Sequence, residues 1–409
     1  MRARIEKRKH PPHSCSIAMP HPSRKKPFVF VNQSAGDLCA DIVNAFVEGG
    51  KSCVLITGST KEDGLERLNA SVKIDPMIRY EKSRTWRRLW TWGWGTFQIW
   101  RKLFFKYRGA DVFMVTNPPF ATWVPLCVGN RFWVLVYDIY PEVLIQAGLL
   151  AENGIVARLW RAAHRRVYAR AQHIFTLGKG MADCLSHYVA REKIAVIANW
   201  TDTSFLNPVA PEANLFRKKY ALEGKFVVMY SGNIGNTHRV EALVEVANAL
   251  KAEKDIVFVI VGEGGKKALI ERTVRACGLE NCLLLPYQPK EWLPHSLGAA
   301  DIGVITLEEK AAQLSVPSKT FNLLAAGCAL LCIAGPECEL ERLVTRYQAG
   351  ERFGGNDIEG MVAYILRLRR DAAALERYRH NARAAAAHFT PANARLYFEW
   401  IAKSLDSKN

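Results

Sequence analysis

Short β-rich runs alternate with helical-period stretches along this chain, and the alternation begins twice. The first run, Phe28–Val31, is followed by a polar turn at 32–37 and apolar residues at helical spacing over 38–47. Gly49 and Gly50 stop that helix, and a second β-rich run follows at 52–57. Strand, loop, helix, glycine stop and strand make a βαβ unit. Further runs at 111–116, 132–137, 173–177 and 195–198, with helical stretches at 154–171 and 179–187, extend it into a mostly parallel sheet.

The grammar then restarts. A β-rich run at 225–230 leads into a loop at 231–237, after which Val240, Leu243, Val244, Ala247 and Leu250 recur at helical spacing. Strands are predicted at 256–261, 282–285, 302–306 and 329–334, with a helix at 317–326. The stretch 201–222, holding Pro208 and Pro211, reads as a linker. The predicted fold class is α/β, with two doubly wound Rossmann-like domains facing across a cleft. The divisions are a disordered basic tail at 1–26, domains at 27–205 and 206–385, and a C-terminal helical segment at 386–409 packing back on the first domain. In open α/β sheets ligands bind beyond the carboxyl ends of the strands, so the loops after the strands are where function is sought.

With 409 residues, 49% hydrophobic and 23% charged, the chain has enough material for two cores and is neither fibrous nor disordered. Its net charge of +17 is unevenly placed. Residues 1–205 hold 30 Lys/Arg against 16 Asp/Glu (+14), and residues 206–409 hold 26 against 23 (+3). That asymmetry points to a polyanion or anionic surface met by the first half, or to a merely solvated basic face. Ten cysteines lie scattered without a CxxC pair or zinc spacing, which fits a reducing cytoplasm and predicts no structural metal. No run reaches the roughly 18–20 apolar residues that span a bilayer. The first 26 residues lack the apolar stretch of a signal peptide, and Met19 is an alternative start.

Candidate chemistry gathers in the second half. Gly232-Asn233-Ile234-Gly235 lies between a predicted strand and a helix, where small residues let backbone N–H groups approach an anion. His238 and Arg239 follow within a turn. Such turns are common, so this one alone says little. In Ser315-Val316-Pro317-Ser318-Lys319-Thr320-Phe321-Asn322, Pro317 suits the first position of a helix. Lys319 then sits where a cation opposes the helix dipole, which an anion held at that end would explain. The alternative is a solvated lysine beside a capping serine. Asn322, one turn on, is placed to bind a sugar hydroxyl. The loop 262–265, with Gly262 and Glu263, is too irregular for a dinucleotide fingerprint.

These motifs resemble family 4 retaining glycosyltransferases of the GT-B fold. The likeness runs through Tyr-Ser-Gly-Asn-Ile-Gly (230–235), Val-Gly-Glu-Gly (261–264), Pro-Tyr-Gln-Pro (286–289), Ser-Val-Pro-Ser-Lys (315–319) and Leu-Leu-Ala-Ala-Gly (323–327). In the first half Asn-Pro-Pro-Phe (117–120), Tyr-Asp-Ile-Tyr-Pro-Glu (137–142) and Ile-Ala-Asn-Trp-Thr-Asp (197–202) agree. The resemblance implies an acceptor-binding first domain and a nucleotide-sugar donor-binding second domain. It implies that the Gly232–Gly235 loop and Lys319 bracket the donor diphosphate, with Tyr287 and Gln288 beside the base and Asn322 near the ribose. It places Asp138 where an acid orients the acceptor hydroxyl, although a turn-capping role fits as well. It also makes the loop with Ser34 and Gly36 the acceptor-side glycine loop. The sequence departs from the family pattern in two respects. Leu314 and Asn322 stand where many relatives have paired glutamates, and Asn233 and His238 where many have Arg and Lys. Phosphate neutralisation then falls to Lys319 with His238 or Arg239. The implied reaction is metal-free transfer with retention, the leaving diphosphate helping to deprotonate the acceptor. No cofactor is implied.

One segment of the first half stands apart. Residues 82–108 hold Lys82, Arg84, Arg87, Arg88, Arg101, Lys102, Lys106 and Arg108, and no acid. Among them lie Trp86, Trp90, Trp92, Trp94, Phe97, Trp100, Phe104 and Phe105. That mixture suits an anionic membrane surface. Ordinary amphipathic packing is a second reading, and single-stranded nucleic acid, which is not expected as a partner, a third. The combined expectation is a cytoplasmic, membrane-peripheral enzyme moving a hexosyl or N-acetylhexosaminyl group from a UDP- or GDP-sugar to a polyprenyl-linked saccharide of a cell-surface polysaccharide. A nucleotide-sugar 2-epimerase of the same fold and an inactive nucleotide-sugar-binding scaffold are the alternatives.

Overall fold

A computed structural model describes residues 26–61, 64–81, 84–235, 238–309 and 316–406. Residues 1–25 of the predicted basic tail, Lys82, Asn236, Thr237, Leu314 and Ser315 lie outside the described residues, whereas Lys26 donates to the Arg108 carbonyl at 3.0 Å. The first sheet comprises β1 (Phe28–Val31), β2 (Cys53–Thr57), β3 (Lys73–Pro76), β4 (Val112–Val115), β5 (Phe132–Leu135), β6 (Ile174–Thr176) and β7 (Ile194–Val196). Its strands are all parallel, in the order β3-β2-β1-β4-β5-β6-β7. The second sheet comprises β8 (Phe226–Ser231), β9 (Ile256–Val261), β10 (Cys282–Leu285), β11 (Ile302–Thr306), β12 (Ala329–Ile333) and β13 (Gly350–Phe353). It is also parallel, in the order β10-β9-β8-β11-β12-β13.

The central strands read as unbroken apolar runs because helices cover both faces of each sheet. Phe28, Val29, Phe30 and Val31 are all buried, as are Ala329 to Ile333. Strand order reverses between β1 and β4 in one sheet and between β8 and β11 in the other. At such a switch point adjacent connections leave on opposite faces and open a crevice at the carboxyl end. The loops that leave β1 (33–36) and β8 (232–235) therefore both border crevices.

The crossing segment is anchored on the second lobe, and the last helix returns to the first. Asn214 caps the short helix Leu215–Lys219, and Arg217 within it donates to Asp301 at 2.8 Å, a buried ion pair at the foot of β11. Arg383 donates to the carbonyls of Leu206 (3.1 Å) and Ala325 (2.9 Å), pinning the crossing segment. The last helix, Ala394–Asp406, lies against helix Asp37–Glu48 of the first lobe. Phe398 meets Phe46 edge-on at 5.3 Å, and Tyr397 packs against Phe113 and Phe175.

The 82–108 segment forms a helix over Thr85–Phe105. No helix among the described residues is long and apolar enough to cross a membrane. Helix Lys319–Ala325 begins two residues later than the predicted 317. Ser318 is its cap, but the serine side chain makes no capping bond.

Candidate functional site

The carboxyl end of β8 builds one wall of the site. The Gly232 N–H donates to the Val261 carbonyl (2.9 Å) and the Ile234 N–H to the Glu263 carbonyl (2.8 Å), so the loop is laced to the turn after β9. Gly262 (φ +152°) comes so close that a Cβ there would lie 1.9 Å from the Gly232 carbonyl oxygen. Only glycine fits that approach without moving backbone. A Cβ on Gly232 itself, also at φ +152°, would lie 2.5 Å from Lys319 Nζ. The lysine ammonium thus sits directly beside the glycine loop.

Lys319 has a specific and unusual environment. Its Nζ donates to the Tyr230 hydroxyl at 2.8 Å and lies 4.0 Å from that ring's centroid. The Tyr230 hydroxyl in turn donates to the Asn233 carbonyl (2.6 Å), fixing the loop. Among the described residues Lys319 makes no ion pair, and burial pulls its pKa down to about 7. A desolvated ammonium without a counter-ion is costly, and the cost is removed when an anion enters. His238 donates from Nδ1 to the Thr306 carbonyl (2.8 Å), because a carbonyl can only accept, and its Nε2 is left as the acceptor. Burial, and then the Lys319 charge, lower the pKa of His238, so the ring is neutral near pH 7.

A cavity of about 600 Å³ opens between the lobes here. Gly232, Asn233, His238, Tyr287, Ser318, Lys319 and Asn322 line it from the second lobe, and Leu38, Tyr137 and Asn199 from the first. A second cavity of about 540 Å³ adjoins it through Leu38, Leu293, Ser318 and Asn322, and continues toward Asp37, Asp41, Trp200 and Lys290. The remaining anticipated residues lie around or apart from this space. Gly235 is in the same loop, and Gly262 supports it from behind. Glu263 pairs with Lys267 at 2.6 Å, and Gln288 bonds back to the Pro286 carbonyl. Arg239 turns away to Asn356 and Gly355, which leaves Lys319 as the one lysine or arginine on the cavity wall among the described residues.

On the first lobe, Ser34 and Gly36 stand at the carboxyl end of β1. Gly36 caps helix Asp37–Glu48, and the Ser34 N–H is held by Asn32 at 3.1 Å. Asp138 follows β5, its N–H directed at Thr116 Oγ1 (3.4 Å). The carboxylate keeps contact with solvent, yet protein crowds it on most sides, and that desolvation raises its pKa. It does not line the 600 Å³ cavity. Tyr137, Asn199 and Tyr230 are functional candidates that the sequence reading did not single out. Each lay inside a quoted motif, but nothing in the motif says which side chain turns inward. A larger opening of about 790 Å³ elsewhere, lined by Glu142, Arg161, Arg165 and Arg342, contains none of the anticipated residues. Among the described residues no three His, Cys, Asp or Glu side chains gather as a metal-binding group.

Two parallel-sheet lobes facing across a cleft, with the glycine loop of one beside a half-buried lysine, belong to the GT-B class. Residues 212–385 match the family model of glycosyl transferases group 1, so the second lobe is a group 1 glycosyltransferase domain. WbjE of Pseudomonas aeruginosa, named as a glycosyltransferase, is 29% identical over 258 residues, covering 61% of this chain and 64% of that protein. WcaI of Escherichia coli K12, named as a colanic acid biosynthesis glycosyl transferase, is 30% identical over 220 residues, 53% of this chain and 54% of that protein. The chain therefore spans between half and two thirds of the length of these relatives. Among solved structures, HepE of Anabaena in complex with UDP superposes with a TM-score of 0.69 at 15% identity, covering 93% of this chain and all (100%) of that one. WaaG, a glycosyltransferase involved in lipopolysaccharide biosynthesis, gives 0.65 at 16% identity over 90% of this chain and 98% of its own.

Proposed function

We propose that this chain transfers a sugar from a UDP- or GDP-linked donor, with retention, to a lipid-linked saccharide during assembly of a cell-surface polysaccharide. The observation that carries the reading is the half-buried Lys319 ammonium, without an ionic partner among the described residues, beside the Gly232 loop in the interlobe cavity. The names of the relatives support it. HepE is described with UDP and with UDP-glucose, WcaI is named for colanic acid, and WaaG for lipopolysaccharide.

In this reading Lys319 and the backbone N–H groups of 232–235 take up charge on the departing diphosphate, so no metal is required for that task. The bond from the anomeric carbon to the phosphate oxygen breaks as the acceptor hydroxyl adds from the same face. The hydroxyl proton passes to the leaving diphosphate oxygen. Asn322 binds the ribose, Tyr287 and Gln288 border the base, and Asp138 orients the acceptor. The 27–205 domain holds the acceptor and the 206–385 domain the donor, on the cytoplasmic side of the membrane. A thermal-shift screen of UDP- and GDP-sugars tests the donor site, because a ligand binding only the folded state raises its stability by RT ln(1 + [L]/Kd). At least one donor should raise the melting temperature and be hydrolysed or transferred. Lys319→Ala should abolish both effects while leaving the unliganded protein folded. Stabilisation that survives in the variant would sink the assignment.

A further inference from the structure

Helix Thr85–Phe105 has apolar residues on both sides. Trp92, Ile99 and Leu103 are buried against the first lobe. On the opposite side Trp86, Leu89, Trp90, Trp94 and Phe97 remain in solvent, with Trp86 and Trp90 each 61% exposed. Trp90 and Trp94 stack on one another at 6.1 Å and leave their outer edges open. A contiguous apolar surface of this kind marks an interaction face.

A second patch, which the composition of 82–108 does not reveal, lies at the start of helix Ile155–Arg170. Ile155 is 75% and Leu159 66% exposed, and Val156 and Leu149 are also open. The two helices share an aromatic joint. Trp92 meets Tyr140 edge-on at 6.0 Å, and Tyr140 stacks on Trp160 at 5.8 Å. Exposed arginines outnumber acids around both patches, with Glu152 beside Ile155 the one exposed acid between Leu149 and Ile155. Arg84, Arg87, Arg101 and Arg108 are exposed on or beside the first helix, and Arg158, Arg165 and Arg166 on the second. Neither helix contains an acidic residue. Lys102 and Lys106 turn inward to Asp75, so the outward charge is carried by arginine.

We infer that the two patches form one docking face for an anionic bilayer surface. Trp86, Trp90, Trp94, Ile155 and Leu159 would enter the headgroup–acyl boundary, and the arginines would meet lipid phosphates. Tryptophan suits that boundary because its ring is apolar and its N–H polar. The charge selects this occupant. A second copy of the chain would set two cationic rims against each other, whereas a phosphate-bearing surface is complementary. The inference deepens the transfer reading by supplying the surface on which a lipid-linked acceptor is met, but it is tested without any assay of transfer.

The full chain is sedimented with vesicles rich in phosphatidylglycerol and with vesicles of phosphatidylcholine alone. Binding is expected to the first, weakening as salt rises from about 0.1 to about 0.5 M. The paired variants Trp90→Ser/Trp94→Ser and Ile155→Ser/Leu159→Ser should each reduce partitioning on the order of tenfold with melting temperature unchanged. Wild-type protein left in the supernatant overturns the inference. So does unchanged binding by the Ile155/Leu159 pair, which removes the second patch from the face. Loss of self-association in the variants with vesicle binding intact assigns the face to a second copy. Displacement from vesicles by a single-stranded oligonucleotide assigns it to nucleic acid. Donor-induced stabilisation, measured on the same variants, reports on the cavity alone, so failure there counts against the transfer reading and not this one.

Discussion

Lys319 carries the most information of any single residue. The sequence marks the lysine because a cation at a helix start opposes the dipole. It does not show that the ammonium is largely withdrawn from water, or that it lies against the Tyr230 hydroxyl and ring and the Gly232 loop. Burial favours the neutral amine, so the free protein holds Lys319 at a pKa of about 7, against an ordinary lysine value of 10.5. The folded state therefore binds fewer protons than the unfolded chain between those values, and this group makes stability rise with pH across that window. Anion binding does the reverse at the site. A diphosphate stabilises the charged form and raises the pKa, so binding at pH 8 takes up a proton. Calorimetry of UDP binding at pH 8, repeated in buffers of different ionisation enthalpy, should show uptake approaching one proton in the wild type. Lys319→Met should show little uptake, and equal uptake in both would exclude this lysine as the titrating group. Neutral His238 and averted Arg239 were not legible for the same reason. Spacing along a helix start places a residue near a site, but the Thr306 carbonyl and Asn356 decide where each side chain goes.

At the level of elements, the buried strands were the easiest to read. Apolar runs such as Ile256–Val261 and Ile302–Thr306 have no other stable disposition than a sheet covered on both faces. Two of the four edge strands escaped, whereas β7 and β10 were read. β3 reads Lys-Ile-Asp-Pro and β13 Gly-Glu-Arg-Phe, and each pairs on one side only, so neither needs an apolar run. Helix Thr85–Phe105 was visible as composition but not as geometry, because aromatics occur on both sides of it and blur the period. The returning helix Ala394–Asp406 is held by its buried side. Tyr397 is 1% exposed between Phe113 and Phe175, while Trp400 is 43% exposed beside His173. Tyr397→Ala should destabilise the first lobe by about 3–5 kcal/mol, since a large ring is removed from a packed site, and Trp400→Ala by much less. Urea midpoints followed by first-lobe tryptophan fluorescence compare the two. Equal losses would mean that the helix is held by its exposed side and not by the Tyr397 contact.

At the level of the whole molecule, the cavity exists only because two lobes face each other, and few direct contacts hold them in that pose. Lys290 of the second lobe reaches Asp37 (3.1 Å) and Glu66 (3.3 Å) of the first, and the Lys179 N–H donates to Glu339 at 3.0 Å. Lys290 lines the 540 Å³ cavity, together with Asp37 and Leu293. Its side chain is 57% exposed, so the pair stands in water and each contact contributes only about 0.2–1 kcal/mol. Both halves are positive overall, +14 and +3, so the acidic corner formed by Asp37 and Glu66 is a local attraction working against a general repulsion. A closure held this weakly leaves open forms populated, as a cleft that must admit donor and release nucleotide requires. Removing the latch should then shift the open-to-closed ratio roughly two- to fivefold, the range that ~0.5–1 kcal/mol spans. Single-molecule distances between labels on the two lobes would read that shift in Lys290→Ala. Because exposed charges are screened by salt, raising it to about 0.5 M should move the wild type toward the variant and leave the variant almost unmoved. If Lys290→Ala matched the wild type at both salt concentrations, the ion pair would have no part in closure. The Lys179–Glu339 bond and the returning helix would then be left to hold the pose of the lobes.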